Sequence, residues 1–373
     1  MPRPQLIIAS SEASADMLYA TGFRAPDPFV FLRAGDKNLL LLQDLELDRG
    51  RQEAEADRVD SFSEAEKKVR GGKTKRPSYA RVVAAWLRAN GVRSVVVPAD
   101  FPLGLARLLK KEGLRMKPAK GAFFPAREKK SLLEVRAIEA AIRIAEAGMS
   151  RALDILRTAV PRKDGRLVLG RRILTSEFVR AEIEATVVRA GGEARGDTII
   201  AGGEQACDPH GRGSGPLRAN ELIIIDIFPR DARSGYYGDI TRTVVRGRAT
   251  DARRKLWETC LAGQVMALEE MKPGNQGGAI HEEVKAFFAG HGYPTEIRDG
   301  RWQGFFHGTG HGLGLEVHEP PRFAAATFLP GQVITVEPGI YIPGVGGVRH
   351  EDVALVTRRG PRLLTHAPKP LEI

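Results

Sequence analysis

Cysteine is almost missing from this chain of 373 residues. Cys207 and Cys260 are its two, far apart in sequence and outside any Cys-x-x-Cys spacing, which excludes a disulfide scaffold and a thiolate metal site. A reducing, cytoplasmic setting is expected from this. Long apolar runs are missing too: none reaches eighteen residues, so no membrane span is expected. The stretch Met1–Ser10 has one basic residue and a short apolar run, without the layout of a signal peptide. Several catalytic signatures are also absent. A Gly-x-Gly-x-x-Gly loop counted from Gly308 fails because Leu313 stands where the third glycine belongs. Around Ser214 a Gly-x-Ser-x-Gly elbow fails because Arg212 takes the first glycine's place. Neither a phosphate-binding P-loop nor a His-Glu-x-x-His helix occurs. Dinucleotide, serine-hydrolase and zincin chemistry are disfavoured together.

The length allows two domains and a sizeable core. A formal charge of +11 raises the question of nucleic acid. The densest basic run, Lys67 to Pro77, has only Tyr79 nearby as a stacking aromatic, and other arginines are spread along amphipathic helices. Solvated faces account for that pattern, so no specific nucleic-acid partner is expected.

Residues 1–125 alternate short apolar runs with helical stretches. Leu39–Leu42 and Ser94–Val97 read as buried strands, and Tyr79–Ala89 and 102–112 as helices, which together predict an α/β domain. Lys117 to Lys130 reads as a linker. A second domain, residues 126–373, then starts sharply. Ser131-Leu132-Leu133-Glu134 fits a capping box opening a helix to about Leu156. Further helices are expected near 175–190, 250–272 and 278–290. Two hairpins are predicted, 222–228 with 239–245, and 333–341 with 348–356. Each carries two carboxylates in apolar surroundings: Asp226 with Asp239, and Glu337 with Glu351. Two hairpins of one design imply pseudo-two-fold symmetry in an α+β domain, with the acids converging.

Between His307 and His318 lie three of the chain's eight histidines, the first two set among glycines that argue against a helix. Four acids and His311 facing one apolar interior need compensation, because burying even one unpaired carboxylate is costly. Local escapes exist for each acid, such as Asp239 pairing with Arg242 or Glu351 with Arg349. For all five residues together those escapes need too many coincidences. Two divalent cations would offset the cluster, and four oxygen ligands with one imidazole suit Mn²⁺, with Co²⁺ or Zn²⁺ as alternatives. Paired ions of this kind activate water and polarise a carbonyl, so the chemistry implied is hydrolysis of an acyl bond.

With these motifs the chain resembles the metallopeptidases of the pita-bread fold: aminopeptidase P, prolidase and, more distantly, methionine aminopeptidase. The resemblance covers about residues 127–373 by motif and the N-terminal domain by layout. Asp226 and Asp239 (in Asp239-Ile240-Thr241-Arg242-Thr243) match the paired aspartates. His311 in His307-Gly308-Thr309-Gly310-His311-Gly312 matches the ligand histidine. Glu337 in Val336-Glu337-Pro338-Gly339 and Glu351 in Val348-Arg349-His350-Glu351-Asp352 match the glutamates.

The resemblance implies Asp226 on one metal, Asp239 and Glu351 bridging, and His311 with Glu337 completing the other site. Glu337 would double as proton shuttle. His210, in Asp208-Pro209-His210, and His318, in Val317-His318-Glu319-Pro320, match substrate-contacting histidines, with His307 lining the pocket. Trp302, Phe305, Phe306 and Tyr341 are candidates to pack on a proline ring or to be core. Implied with these are a proline-containing peptide or dipeptide substrate and a homodimer. A metal-free binding module, a metal-free hydrolase of creatine type, or an aminopeptidase without proline preference are the other outcomes this fold allows. One departure stands out: Asp226 and Asp239 are thirteen positions apart, a longer hairpin than the family's, with Ile227-Phe228-Pro229 after the first aspartate. It bears on the substrate cleft more than on the ligands.

Overall fold

Leu39 and Leu41 pack on one face of a sheet while Leu40 and Leu42 pack on the other. Successive strand side chains alternate sides, so a four-leucine run without polar interruption marks a strand covered on both faces. A computed structural model describes this and the rest of the chain at residues 3–71 and 74–373. The chain divides into two compact units, Met1–Pro125 and Ala126–Ile373.

The first unit is built on strands β1 (Gln5–Ala9), β2 (Phe29–Ala34), β3 (Lys37–Leu42), β4 (Arg58–Ser61), β5 (Ser94–Val97) and β6 (Arg115–Pro118). They lie in the order β4-β3-β2-β1-β5-β6, antiparallel from β1 to β3 and parallel elsewhere. Helices α1 (Tyr79–Ala89) and α2 (Leu103–Lys111) fall where the periodicity predicts them. Of the basic run, Lys67, Lys68 and Arg70 lie in the last turn of the helix Phe62–Arg70, where cations complement the helix dipole. Gly72 and Lys73 of that run lie outside the described residues. The stretch expected as a linker is mostly ordered structure: Arg115–Pro118 is the edge strand, Phe123 and Phe124 are buried, and Pro125–Glu128 forms a 3₁₀ turn. Its Pro and Gly residues turn the chain while its two phenylalanines anchor it.

In the second unit Ser131 and Glu134 make the predicted capping box on α3 (Leu132–Thr158): the Ser131 hydroxyl accepts from Glu134 N–H, and the Glu134 carboxylate from Ser131 N–H. Helices α4 (Ser176–Arg189), α5 (Asp251–Glu269, N-capped by Thr250) and α6 (Gly277–Gly290) follow. Ile144, Met149, Leu153 and Leu156 of α3, with Val179 and Ile183 of α4, pack on Ile223, Ile225 and Val244. Among the described residues no helix is long and apolar enough to cross a membrane.

Those last residues belong to a three-stranded sheet of β7 (Ile199–Gly202), β8 (Leu222–Ile227) and β9 (Ile240–Val245), in which Asp226 pairs with Thr241. A five-stranded sheet runs β11-β10-β12-β15-β16, from β10 (His311–Gly312), β11 (Glu319–Arg322), β12 (Val333–Val336), β15 (Asp352–Thr357) and β16 (Gly360–Leu363). Strands β13 (Gly339–Ile342) and β14 (Gly346–Arg349) pair separately. The second predicted hairpin is therefore broken in two. Val336 pairs with Asp352 on one side of the break and Gly339 with Arg349 on the other. Pro338 has no N–H to continue the ladder, so Glu337-Pro338 and His350-Glu351 sit opposite each other outside it. The two glutamates emerge at this break.

Candidate metal centre

Each acid of the cluster stands at a strand end or interruption. Asp226 is near the end of β8, Asp239 directly precedes β9, and Glu337 and Glu351 occupy the break just described. His311 opens β10, whose register to β11 shifts at His311/Gly312. Glycine is required beside it: a Cβ on Gly310 would lie 1.8 Å from the Thr335 carbonyl oxygen. The His311 N–H donates to the Thr335 hydroxyl at 3.0 Å, and that hydroxyl donates to Glu337 Oε1 at 3.1 Å.

Asp239, His311 and Glu351 each offer a ligand atom, and these atoms lie within 4.8 Å of one another. The Nε2 of His311 is 3.0 Å from Glu337 Oε1 and 3.9 Å from Asp239 Oδ2. Asp226 is bound by the guanidinium of Arg349 through Oδ2. Its Oδ1, like Oε1 of Glu351, is buried without a partner. Thr241 satisfies the other oxygen of Glu351, donating to Oε2 at 2.8 Å. Buried carboxylate oxygens left free beside an imidazole nitrogen form an acceptor set that fits hard or borderline divalent cations.

The electrostatics point the same way. Burial, then the charges of Glu351, Asp226 and Glu337, pushes the Asp239 carboxyl well above its ordinary range. Burial, with Glu337 and Asp226, does the same to Glu351. Asp226 is raised by burial against the opposing pull of Arg349. Glu337 departs from the rest: burial would raise it, but the His311 hydrogen bond and the charges of His311, His307 and Arg349 bring it down to about 2. Its side chain keeps 18% exposure, so the one acid held firmly ionised is also the one open to a ligand.

Two further histidines, His318 and His307, bear on residues of this centre, and His210 bears on both of them. His318 sits edge-on to His311, ring centroids 4.3 Å apart, and burial followed by the His311 charge lowers it to about 4. The Nε2 of His307 is 2.9 Å from the Tyr341 hydroxyl, and desolvation lowers that ring to about 4 as well. His210 is exposed on a loop whose Pro209 carbonyl accepts from Arg349 at 3.2 Å, and its charge acts on both His307 and His318.

Residues 136–358 match the profile of metallopeptidase family M24. The chain belongs to that family. It is 32% identical over 289 residues to the Xaa-Pro dipeptidase of Pyrococcus horikoshii, covering 76% of each chain. Among solved structures, the prolidase from Pyrococcus horikoshii OT3 superposes with a TM-score of 0.79 at 28% identity, covering 98% of this chain and 94% of that one. The X-Pro aminopeptidase of Thermotoga maritima MSB8 shares the fold, with a TM-score of 0.82 at 24% identity over 100% and 97% of the two chains. The M24 pita-bread fold therefore holds for this metallopeptidase.

Within this cluster some expected partners change. Arg349 pairs with Asp226 rather than Glu351, and Arg242 pairs with Asp352 at 2.9 Å rather than with Asp239. Phe305 and Tyr341 are 1% and 0% exposed and belong to the core, leaving Trp302 and the partly buried Phe306 as accessible aromatics. Sequence reasoning missed Arg349 as a hub. Besides Asp226 it donates to the Tyr341 hydroxyl at 2.9 Å, linking Asp226 to His307 through Tyr341. Thr241 and Thr335 were also missed. A usable signal existed: Thr241 stands two residues after Asp239 and Arg349 two before Glu351, a spacing that returns side chains to one face of a strand.

Proposed function

We propose that this chain is a dinuclear metal-dependent peptidase that cleaves the peptide bond preceding proline, as an Xaa-Pro dipeptidase or Xaa-Pro aminopeptidase. What carries the reading is the convergence of Asp226, Asp239, His311, Glu337 and Glu351 with His318 edge-on to the ligand imidazole. The dipeptidase and prolidase names of the relatives support it. Two Mn²⁺ ions, or Co²⁺ or Zn²⁺ in their place, would be held by those five residues. Bound there, the ions would lower the pKa of a water and polarise the scissile carbonyl.

The protein's own groups do the rest. Glu337, ionised and partly open, takes the proton from the attacking water and returns it to the prolyl nitrogen as the C–N bond breaks and the new C–O bond forms. That nitrogen has no hydrogen of its own, so the enzyme cannot recognise the bond through an amide donor. His318 and His210 instead donate to carbonyl oxygens, and the His318 ring, lowered to about 4, is a neutral donor at physiological pH. His307, held by the Tyr341 hydroxyl, lines the pocket, with Trp302 and Phe306 available to the proline ring. A homodimer in a cytoplasmic setting completes the proposal; both cysteines are free and buried.

Hydrolysis of Xaa-Pro dipeptides, Xaa-Pro tripeptides and Met-Ala-Ser by the metal-loaded protein tests it. Turnover of the first two and little of the third is expected. Preference for Met-Ala-Ser would leave an M24 peptidase without proline specificity, and no turnover with bound metal would favour a binding module.

A further inference from the structure

His318 is exposed; among the described residues its ring makes one aromatic contact, edge-on to His311, and no side-chain hydrogen bond. The next residue, Glu319, is only 2% exposed. The loop that presents His318 is folded around the Glu319 carboxylate. Glu316 N–H points at Glu319 Oε2 at 3.4 Å, and a Cβ on Gly314 would lie 2.4 Å from Glu319 Oε1, so residue 314 has to be glycine for the loop to close. Tyr237 N–H, from the long hairpin between Asp226 and Asp239, donates to the Gly314 carbonyl at 2.8 Å.

Two cations close the other side of the carboxylate. Lys130 is ion-paired with Oε1, its side chain 1% exposed. Arg127 reaches Oε2 at 2.7 Å and Glu316 Oε2 at 2.8 Å. Lys130 also donates to the Arg127 carbonyl, and its own N–H donates to Gly331 at 2.7 Å. Residues 127–130 thus form a strap across the His318 loop, directly before the capped start of α3. Apolar side chains would hold such a strap at less desolvation cost than a buried lysine, a partly buried arginine and a buried carboxylate. What ions add is direction, since each carboxylate oxygen fixes its partner's approach.

We infer that Glu319, clamped by Lys130 and Arg127, is a positioning residue for His318. The inference rests on the reading above, in which His318 touches the scissile peptide. Without the clamp the loop 314–318 loses its internal carboxylate and His318 no longer keeps one place beside His311.

A double-mutant cycle with E319Q, H318A and their combination tests this on an Xaa-Pro dipeptide, with kcat expressed per metal-loaded site. The expected result is a fall of about tenfold or more in kcat for E319Q, with KM moved much less, and no further loss when E319Q is added to H318A. In the metal-free protein, the histidine ring signal that vanishes in H318A should broaden or shift in E319Q while the signals of the other histidines stay. Where E319Q costs stability because Lys130 is left unpaired, E319Q/K130M restores the melting temperature but not kcat. Additive losses in the cycle, or a normal kcat per site with an unmoved His318 signal, would overturn the inference. If the parent enzyme does not cleave Xaa-Pro peptides yet the His318 signal still responds to E319Q, the positioning stands and the functional reading fails.

Discussion

The Arg349 guanidinium holds Oδ2 of Asp226 and leaves Oδ1 of the same carboxylate buried with no partner. A carboxylate pinned on one side and free on the other is pre-set to offer that free oxygen to a cation. Chelator-stripped protein should accordingly take up two divalent ions per chain of unequal affinity, measured by calorimetry and metal analysis. Ions at a hundredfold excess over their Kd stabilise a folded state by about 2.7 kcal/mol, roughly 5–10 °C in Tm for a unit of this size. A well-folded chain that binds no metal would remove the enzymatic reading.

The stripped protein should also lose stability as pH rises. Asp239 and Glu351 have ordinary values of 3.8 and 4.5, and burial with mutual repulsion raises both in the folded state. A raised folded pKa means that the folded chain keeps protons which the unfolded chain releases. The penalty is absent below the ordinary values and grows as pH climbs through them towards the folded ones. Bound cations favour the ionised form and cancel it. The gap in Tm between loaded and stripped protein should therefore widen from about pH 4 to pH 7. A gap that stays level across that range contradicts this account of the cluster.

Glu337→Gln should abolish turnover far more than it weakens binding. The amide keeps an oxygen for a metal but carries no proton between water and leaving nitrogen, and loss of such assistance costs about 10² to 10⁴ in rate. Near-normal kcat with metal retained would assign the shuttle to another residue.

His318→Ala should lower kcat/KM on Xaa-Pro substrates by roughly two to three orders of magnitude, about 3–4 kcal/mol of transition-state binding, with bound metal unchanged. Single-turnover measurements separate this from slower product release. Retained activity, or an equal loss on Xaa-Ala, would show that His318 does not serve proline recognition.

Much of the molecule is written locally in its residues. The Ser131–Glu134 box, the Thr250 cap and the apolar stripe of α3 depend on neighbours within a turn or two, and the leucine run of β3 needs only alternation across a sheet. Asp226, Asp239, His311, Glu337 and Glu351 were legible for a related reason: acids and a glycine-flanked histidine in apolar settings are conspicuous wherever the chain later takes them. Chain order alone also showed that the Asp226–Asp239 hairpin is long.

Partnership was decided only by the tertiary structure. Arg349 looked like a neighbour for Glu351, yet β14 lies against β9, its Arg349 backbone bonded to the Thr243 hydroxyl, and the Arg349 side chain reaches Asp226, more than a hundred residues away. The second hairpin reads in sequence as one continuous pair, and that it splits at Pro338 into two sheets depends on which strand each half finds. Phe305 and Tyr341 became core, and Glu319 became a buried anchor, for the same reason. Periodicity and caps act within a few residues, whereas an ion pair or a buried ring depends on what the folded chain brings from elsewhere.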